Sequence, residues 1–328
     1  MNTKGLGAVR FHDVSGRAIL ELRGRDSFDL LQRISTNDLA GLNVGHARPT
    51  ILVTEKGRIV DVINVLKLSE TRILLAAEGP ARPSLHAWLE KFIFADDAAV
   101  GEQQLQWRHL FFWLPFPDDP ARNTPNQSKL KLLVSNMLRP LFSDSCYVFD
   151  PFAGSGAGVH CLFPSRDAAA MASLLYSNGF QEKPPIEYDC WRIAAGIPAF
   201  GTELTLEYHP RELSLDHLVS DTKGCYPGQE VLARLDTYHK VSRRLVRVYL
   251  HGCPGTLTPP LRLYADNREA GTLTSVSGFN DGIDGRQGLA IVKQGFLQVG
   301  MDLRIQPYGT VRIDRSALVT PKEERPRK

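Results

Sequence analysis

With 328 residues and 36.5 kDa, 43% of them hydrophobic and 23% charged, the chain is long enough for two or three packed units, and its composition excludes a disordered or collagenous protein. Its 39 Lys and Arg against 36 Asp and Glu leave a formal charge of +3, short of the excess expected of a dedicated nucleic-acid binder. No apolar run approaches the roughly 18 residues of a membrane span, Met1 to Arg10 lacks the apolar core of a secretory signal, and five scattered cysteines without a C-x-x-C pair fit a reducing compartment. The expectation is a cytoplasmic protein with no membrane contact.

In chain order, Ala18 to Arg23 reads as a strand turned by Gly24, and Asp26 stands as the N-cap of a helix carrying Phe28, Leu30, Leu31 and Ile34. Thr50 to Thr54, a turn at Glu55 to Arg58, Ile59 to Leu68 and Arg72 to Ala77 read as an antiparallel meander. Pro83 and Ser84 open a second helix with Leu85, Trp88, Leu89, Phe92 and Ile93 at helical spacing. Antiparallel strands with interspersed helices predict an α+β fold. Between Trp107 and Pro140 an aromatic cluster broken by Pro115, Pro117, Pro120 and Pro125 is expected to be neither a regular helix nor a central strand. The first layout then repeats: a strand at Cys146 to Asp150, a Gly-rich turn, a strand at Val159 to Phe163, and a helix capped by Asp167 and closed by Asn178-Gly179. From Arg244 onward, strands at 245–250, 261–264, 271–276, 289–292 and 303–305 predict a small closed antiparallel β-barrel. The predicted domains are an α+β region at 1–243, a barrel at 244–316 and a disordered tail at 317–328.

Asp150-Pro-Phe-Ala-Gly-Ser-Gly156 looks like the cofactor loop of some nucleic-acid amino-methyltransferases, but that loop must lead into a helix whose N-terminus faces the ligand. Here a strand follows, so the glycines read as a hairpin turn. A second motif is Lys223-Gly-Cys-Tyr-Pro-Gly-Gln-Glu230. Tyr226-Pro227-Gly228 has Pro and Gly where a type II turn needs them. The turn sets Cys225 at the end of one element and Gln229 at the start of the next, with Lys223 and Arg234 as cations that favour a thiolate. The competing reading makes Cys225 a small buried hydrophobe.

On Lys223 to Glu230 the chain resembles the YgfZ family, the folate-binding relatives of the glycine-cleavage T-protein. Trp191-Arg-Ile-Ala-Ala-Gly-Ile-Pro198, Gly24 to Asp38, Lys56-Gly57-Arg58 and Gly288 to Val292 are also similar. The resemblance implies a cloverleaf of ferredoxin-like α+β subdomains around a central folate channel, with the barrel at the C-terminal end. It implies tetrahydrofolate, or a derivative, as cofactor. It further implies service to iron-sulfur enzymes or assembly proteins, including those that modify tRNA, with Cys225 as the functional thiol. Gly224 and Gly228 would shape the turn, Tyr226, Gln229 and Glu230 would face the pocket, and Trp191 and Arg192 would wall it. Two departures bear on the alternative of an aminomethyltransferase like the T-protein itself. Ala194 stands where the T-protein has a folate-gripping glutamate, and Val62 follows Asp61 where it has paired aspartates. Asp61 is left as the carboxylate that could orient or deprotonate a folate amine; a paired inward polar residue is the structural alternative.

His209, His217 and His239 flank Cys225 at spacings that match no standard metal-ligand pattern, so no metal is expected. The basic run from His239 through Arg243, Arg244 and Arg247 suits tRNA phosphates in a weak contact, the glutamate tail of folate, or plain solvent. Its place after the signature favours the glutamate tail, with Arg243 as the contact.

Overall fold

A computed structural model of the chain describes residues 9–103, 105–115, 124–142, 145–150, 152, 158–237, 241–278 and 286–314. The expected tail, Pro117, Pro120, Gly154 to Gly156 and His239 lie outside them. The first strand, β1 (Arg10–Asp13), leaves for a sheet built mostly from later residues. Next come β2 (Arg17–Arg23), α1 (Ser27–Ile34), β3 (Ala47–Val53), β4 (Ile59–Ser69), β5 (Arg72–Pro80), α2 (Pro83–Glu90) and β6 (Ala99–Glu102). They form an antiparallel sheet in the order β3-β4-β5-β2-β6. Leu30, Leu31 and Ile34 of α1 and Leu85 and Leu89 of α2 sit at helical spacing and pack onto Leu52, Ile63, Val65 and Leu75. Asp26 differs from its expected capping role: its side chain makes no cap bond and instead accepts from the Asp97 N–H at 2.7 Å.

The second sheet corrects the reading of Trp107 to Pro140. Here β7 (Trp107–Trp113) is a central strand, followed by α3 (Thr124–Phe142), β8 (Tyr147–Phe149), β9 (Gly158–Pro164), α4 (Ala168–Ser177) and β10 (Gln181–Glu182), in the order β10-β1-β7-β9-β8. The prolines fall after β7 rather than within it, and Pro125 lies in the first turn of α3, where a missing N–H breaks nothing. Both faces of β7 are covered. Leu110 and Phe112 meet α3 and α4, while Phe111 and Trp113 point to the molecular centre. β8 pairs antiparallel with β9; the turn expected at Gly154 to Gly156 between them lies outside the described residues.

After α5 (Pro185–Ala194), an irregular stretch and α6 (Gln229–Thr237), the chain enters the barrel: β11 (Arg243–His251), β12 (Leu261–Ala265), β13 (Arg268–Val276), β14 (Arg286–Lys293), β15 (Asp302–Arg304) and β16 (Thr310–Ile313). It closes as β11-β14-β13-β12-β15-β16, so the predicted barrel is present, with a sixth strand that the sequence reading did not separate. The three units meet on one cluster that joins Ile51, Val62, Phe111, Trp191, Leu232 and Ile291. Among the described residues no helix is long and apolar enough to cross a membrane.

Candidate functional site

Three segments that are far apart in sequence meet at the signature. Gly228 has φ +75°, and the Gln229 N–H donates to the Tyr226 carbonyl at 3.3 Å, as the type II turn requires. A Cβ on Gly228 would stand 2.5 Å from the Thr54 carbonyl oxygen and 2.8 Å from the Gly57 nitrogen. The signature turn therefore lies back to back with the β3–β4 turn that holds Lys56-Gly57-Arg58. His209 completes the junction by donating from Nδ1 to the Gly57 carbonyl at 2.8 Å. Gly224 has open space around it and no positive φ, so the shaping expected of two glycines rests on Gly228.

Lys223 differs from its expected role. Its ammonium is buried and donates to the carbonyls of Ser35 and Asn37, each at 2.7 Å, just past the end of α1. It also lies 5.6 Å from the centre of the Tyr226 ring, and Tyr226 itself is buried in the central cluster. Desolvation lowers the Lys223 pKa to about 8, with Asp38 opposing the shift. Arg234 pairs with Glu230 one turn away on the exposed face of α6, at 2.5 Å. Both expected thiolate partners thus have other partners, and among the described residues no hydrogen bond or ion pair reaches Cys225. The thiol is nonetheless the one exposed cysteine of the five, which overturns its reading as a buried hydrophobe.

Two predictions follow from this packing. N-ethylmaleimide will label Cys225 first and Cys161 last, with rates differing roughly tenfold or more, because the thiolate must be reached by solvent to react. Cys161 is buried, and that burial pushes its thiol pKa up, as does its contact with Cys146 at 3.3 Å. Peptide mapping after timed labelling checks the order, and a Cys225 slower than Cys253 would contradict the exposed turn. The second concerns Lys223. Between about 8 and the ordinary 10.5 the unfolded chain binds the proton that the folded chain has released. Stability contributed at this site therefore rises with pH across that window. Urea unfolding at pH 7.5, 9 and 10 should show the gap between wild type and Lys223→Met widening with pH. A constant gap would mean that the ammonium is not desolvated.

Asp61 lies on β4, fully buried. Its Oδ1 accepts from the N–H groups of Val62 at 2.8 Å and Gly79 at 3.2 Å, and its Oδ2 faces Arg82 Nη1 at 2.9 Å. Beyond that contact neither Oδ2 nor Nη1 has a hydrogen-bond partner among the described residues. Burial pushes the carboxyl up from its ordinary value, against Arg82 and the two N–H groups. The Arg82 guanidinium lies 4.2 Å from the centre of the Phe200 ring, so Asp61, Arg82 and Phe200 form a layered stack. Gly79 admits it, since a Cβ there would stand 2.1 Å from Arg82 Nη1.

Arg82 and Phe200 wall a cleft of about 1270 Å³ between β4, α2, residues 200–208 and the barrel strands β12 and β13. Trp88 and Tyr208 add aromatic surface, and Lys91, Arg243 and Arg262 add positive charge against Glu207 and Glu269. Arg243 is the predicted binding residue that lines it; its guanidinium lies over Tyr208 at 4.6 Å and donates to Glu212 at 2.8 Å. The junction itself is packed with aromatic side chains, and this cleft lies beside it. Trp191 belongs to that packing, 5.1 Å from Phe111 and 5.9 Å from Trp113 between ring centres. Arg192 is likewise inside, bonded to Asp189 at 2.7 Å and Ser275 at 3.2 Å and lying 3.6 Å from the buried Glu203. Neither lines the cleft. Arg247 pairs with Asp314 and donates to the Ala194 carbonyl, which removes it from a surface for tRNA. His217 donates from Nε2 to the Phe152 carbonyl at 2.6 Å, and no group of three metal-ligating side chains occurs among the described residues.

Sequence reasoning missed Arg82, Phe200, Tyr208 and Glu203. Pro83 marks a helix start in the sequence, but nothing local marks what the preceding arginine faces. It also missed a second buried polar group between the sheets, in which Arg17 bridges Glu78 at 2.6 Å and the Tyr188 hydroxyl at 2.7 Å, beside a His109–His160 hydrogen bond of 2.8 Å.

Residues 6–113 match the family described as GCVT N-terminal domain. A chloroplastic putative transferase of Arabidopsis thaliana is 27% identical over 88% of this chain, which spans 66% of that relative's length. Aminomethyltransferases of Caldanaerobacter subterraneus subsp. tengcongensis and Listeria monocytogenes are 22% and 24% identical over 94% and 89% of this chain, covering 84% and 81% of their own lengths. The crystal structure of glycine cleavage system aminomethyltransferase T from Bartonella henselae superposes with a TM-score of 0.75 at 20% identity, covering 94% of this chain and 85% of that one. The chain has the fold of the glycine-cleavage T-protein.

Proposed function

We propose that this chain binds a reduced folate in the cleft beside Arg82 and acts on the one-carbon unit it carries, as a tetrahydrofolate-dependent transferase of the aminomethyltransferase kind. The observation that carries this reading is the Asp61–Arg82–Phe200 stack: Arg82 and Phe200 wall a cleft large enough for a cofactor, and behind them lies a buried carboxylate, with one polar atom on each of Asp61 and Arg82 otherwise unpartnered among the described residues. The residues fit such a ligand. Trp88, Phe200 and Tyr208 offer aromatic surface to a planar ring, Arg82, backed by the buried Asp61, offers a guanidinium to its polar edge, and Arg243 and Arg262 attract carboxylates.

Tetrahydrofolate, when bound, supplies the secondary amine that takes up the one-carbon unit. Burial pushes the Asp61 carboxyl up from its ordinary value, and Arg82 with the two backbone N–H groups opposes that shift. Its readiness to take a proton is therefore set by how closely the guanidinium sits. Phe200 fixes that distance from the other side.

The test is calorimetric titration of tetrahydrofolate into wild type and Asp61→Asn, together with an assay for methylene-tetrahydrofolate made from a lipoyl-bound aminomethyl donor. The expected outcome is saturable binding by both, with turnover lost in Asp61→Asn. No binding by wild type at millimolar ligand would end the reading.

One observation favours a second reading, in which the protein is a folate-binding accessory to iron-sulfur enzymes or assembly proteins. Cys225 is exposed beside the signature turn, while Asp61 is buried and already paired with Arg82. In that case Cys225→Ala abolishes support of a client iron-sulfur enzyme while folate binding survives, and wild type gives no methylene-tetrahydrofolate. Full support by Cys225→Ala would exclude a thiol role.

A further inference from the structure

The second sheet holds two cysteine sulfurs in contact, a pair that neither the cleft nor the signature uses. Cys161 lies buried on β9, and Cys146 stands partly exposed just before β8. The register sets Val148 opposite Cys161. Side chains alternate along a strand, so Cys146 and Val148 share the face that Cys161 occupies. Leu138 and Phe142 of α3 and Met171 of α4 pack on that face. Across it the two Sγ atoms lie 3.3 Å apart. Cys225, by contrast, has no second sulfur in contact among the described residues.

We propose that Cys146 and Cys161 form a reversible dithiol–disulfide site, a modification site for hydrogen peroxide that is separate from Cys225. The sulfurs have to close from 3.3 Å to the roughly 2.05 Å of a disulfide bond. β8 is an edge strand with β9 as its neighbour, so Cys146 can approach Cys161 without a second ladder to break. The two sulfurs have different roles. Cys146 is the one that peroxide reaches. Cys161 is buried, and burial together with the Cys146 contact pushes its thiol up, which keeps it protonated until its partner has reacted. The Cys146 thiolate attacks one peroxide oxygen, the O–O bond breaks, and Cys146 becomes a sulfenic acid as hydroxide leaves and takes up the thiol proton. The Cys161 sulfur then attacks the sulfenic sulfur. The S–S bond forms, the S–O bond breaks, and the Cys161 proton leaves with the hydroxide as water. Two thiols and one hydrogen peroxide thus give a disulfide and two waters, the sulfurs losing the two electrons that the peroxide gains. A thioredoxin-type dithiol reverses the step by attacking the more accessible Cys146 sulfur through a mixed disulfide. Where thiols are kept reduced, the pair rests as two thiols and closes only under oxidant.

The full chain should be treated with a small molar excess of hydrogen peroxide, alkylated, and digested without reductant. The expected product is a peptide cross-linked between Cys146 and Cys161 that dithiothreitol separates again. With dimedone present, Cys161→Ala should trap a Cys146 sulfenic adduct roughly tenfold more abundant than in wild type, because the resolving sulfur is gone. Cys146→Ser changes the partly exposed partner and spares the buried packing, and should leave Cys161 unoxidised. Recovery of Cys146 and Cys161 as free thiols at a dose that oxidises Cys225 would reduce the contact to the packing of two small apolar side chains and overturn the site. A cross-link from either cysteine to Cys190, Cys225, Cys253 or a second chain would overturn it as well, as would oxidation of Cys161 in Cys146→Ser at the wild-type rate.

Discussion

Gly228→Ala should destabilise the chain by about 3 kcal/mol, from the strain of a left-handed backbone combined with overpacking. The residue sits at φ +75°, and its new Cβ would press on the Thr54 carbonyl and on Gly57. Both neighbours are main chain in a tight turn, where Thr54 and Gly57 are already hydrogen-bonded to each other at 2.8 Å, so neither can yield without opening β3 from β4. The disturbance reaches the functional residues, because the same junction carries His209 and the turn that presents Cys225. Urea unfolding should therefore report a lower midpoint, and N-ethylmaleimide labelling of Cys225 should change in the same variant. Gly224→Ala is the matched control: nothing lies within 4 Å of its Cβ position, so its cost should stay within about 0.5 kcal/mol. Equal effects of the two substitutions would mean that the signature and β3–β4 turns do not touch.

The contrast between these glycines also indicates what the sequence could and could not disclose. Pro227-Gly228 announces its turn locally, since the φ preferences of two adjacent residues suffice. That the turn packs against Gly57 is a property of the tertiary fold, and the similarity of both segments to one family was the only sequence signal that joined them. The first sheet was legible because α1 and α2 give it helical spacings to read against short strands. By contrast, β7 is buried on both faces, so its Leu-Phe-Phe-Trp run has no polar alternation, and the prolines beyond it dominated the reading. In α3, Leu130, Val134 and Leu138 do repeat every fourth residue, but Pro125 stands just before them and is a helix breaker anywhere except the first turn. The cleft was the least legible part. Arg82, Phe200 and Tyr208 come from two remote segments, and no local pattern marks the side chain opposite a buried aspartate.

Arg82→Ala should lower stability by about 3 kcal/mol near neutral pH, the lower end expected when one partner of a buried ion pair is removed, because Arg82 itself is partly exposed. The loss comes from what remains: Asp61 stays fully buried, with the Val62 and Gly79 N–H groups but no counter-charge in direct contact, Arg17 being held by Glu78 at 2.6 Å. Its folded pKa, already pushed up by burial, should rise further in the variant. With the sign worked through, an acid whose folded pKa lies above its unfolded one binds the proton more tightly when folded. Stability from this group is thus fully present below the unfolded value of about 3.8 and is lost as pH rises towards the folded one. Arg82→Ala should therefore come closest to wild type at acid pH and fall away as the solution is made neutral. Asp61→Asn in the same background keeps the two backbone bonds and removes the charge, so the double variant should recover most of the stability lost by Arg82→Ala and lose its pH dependence. The same set addresses function. If Asp61 acts on a bound folate, the double variant folds, binds and does not turn over. If the pair serves packing alone, the double variant retains whatever activity the wild type has, and the proton-handling role of Asp61 falls.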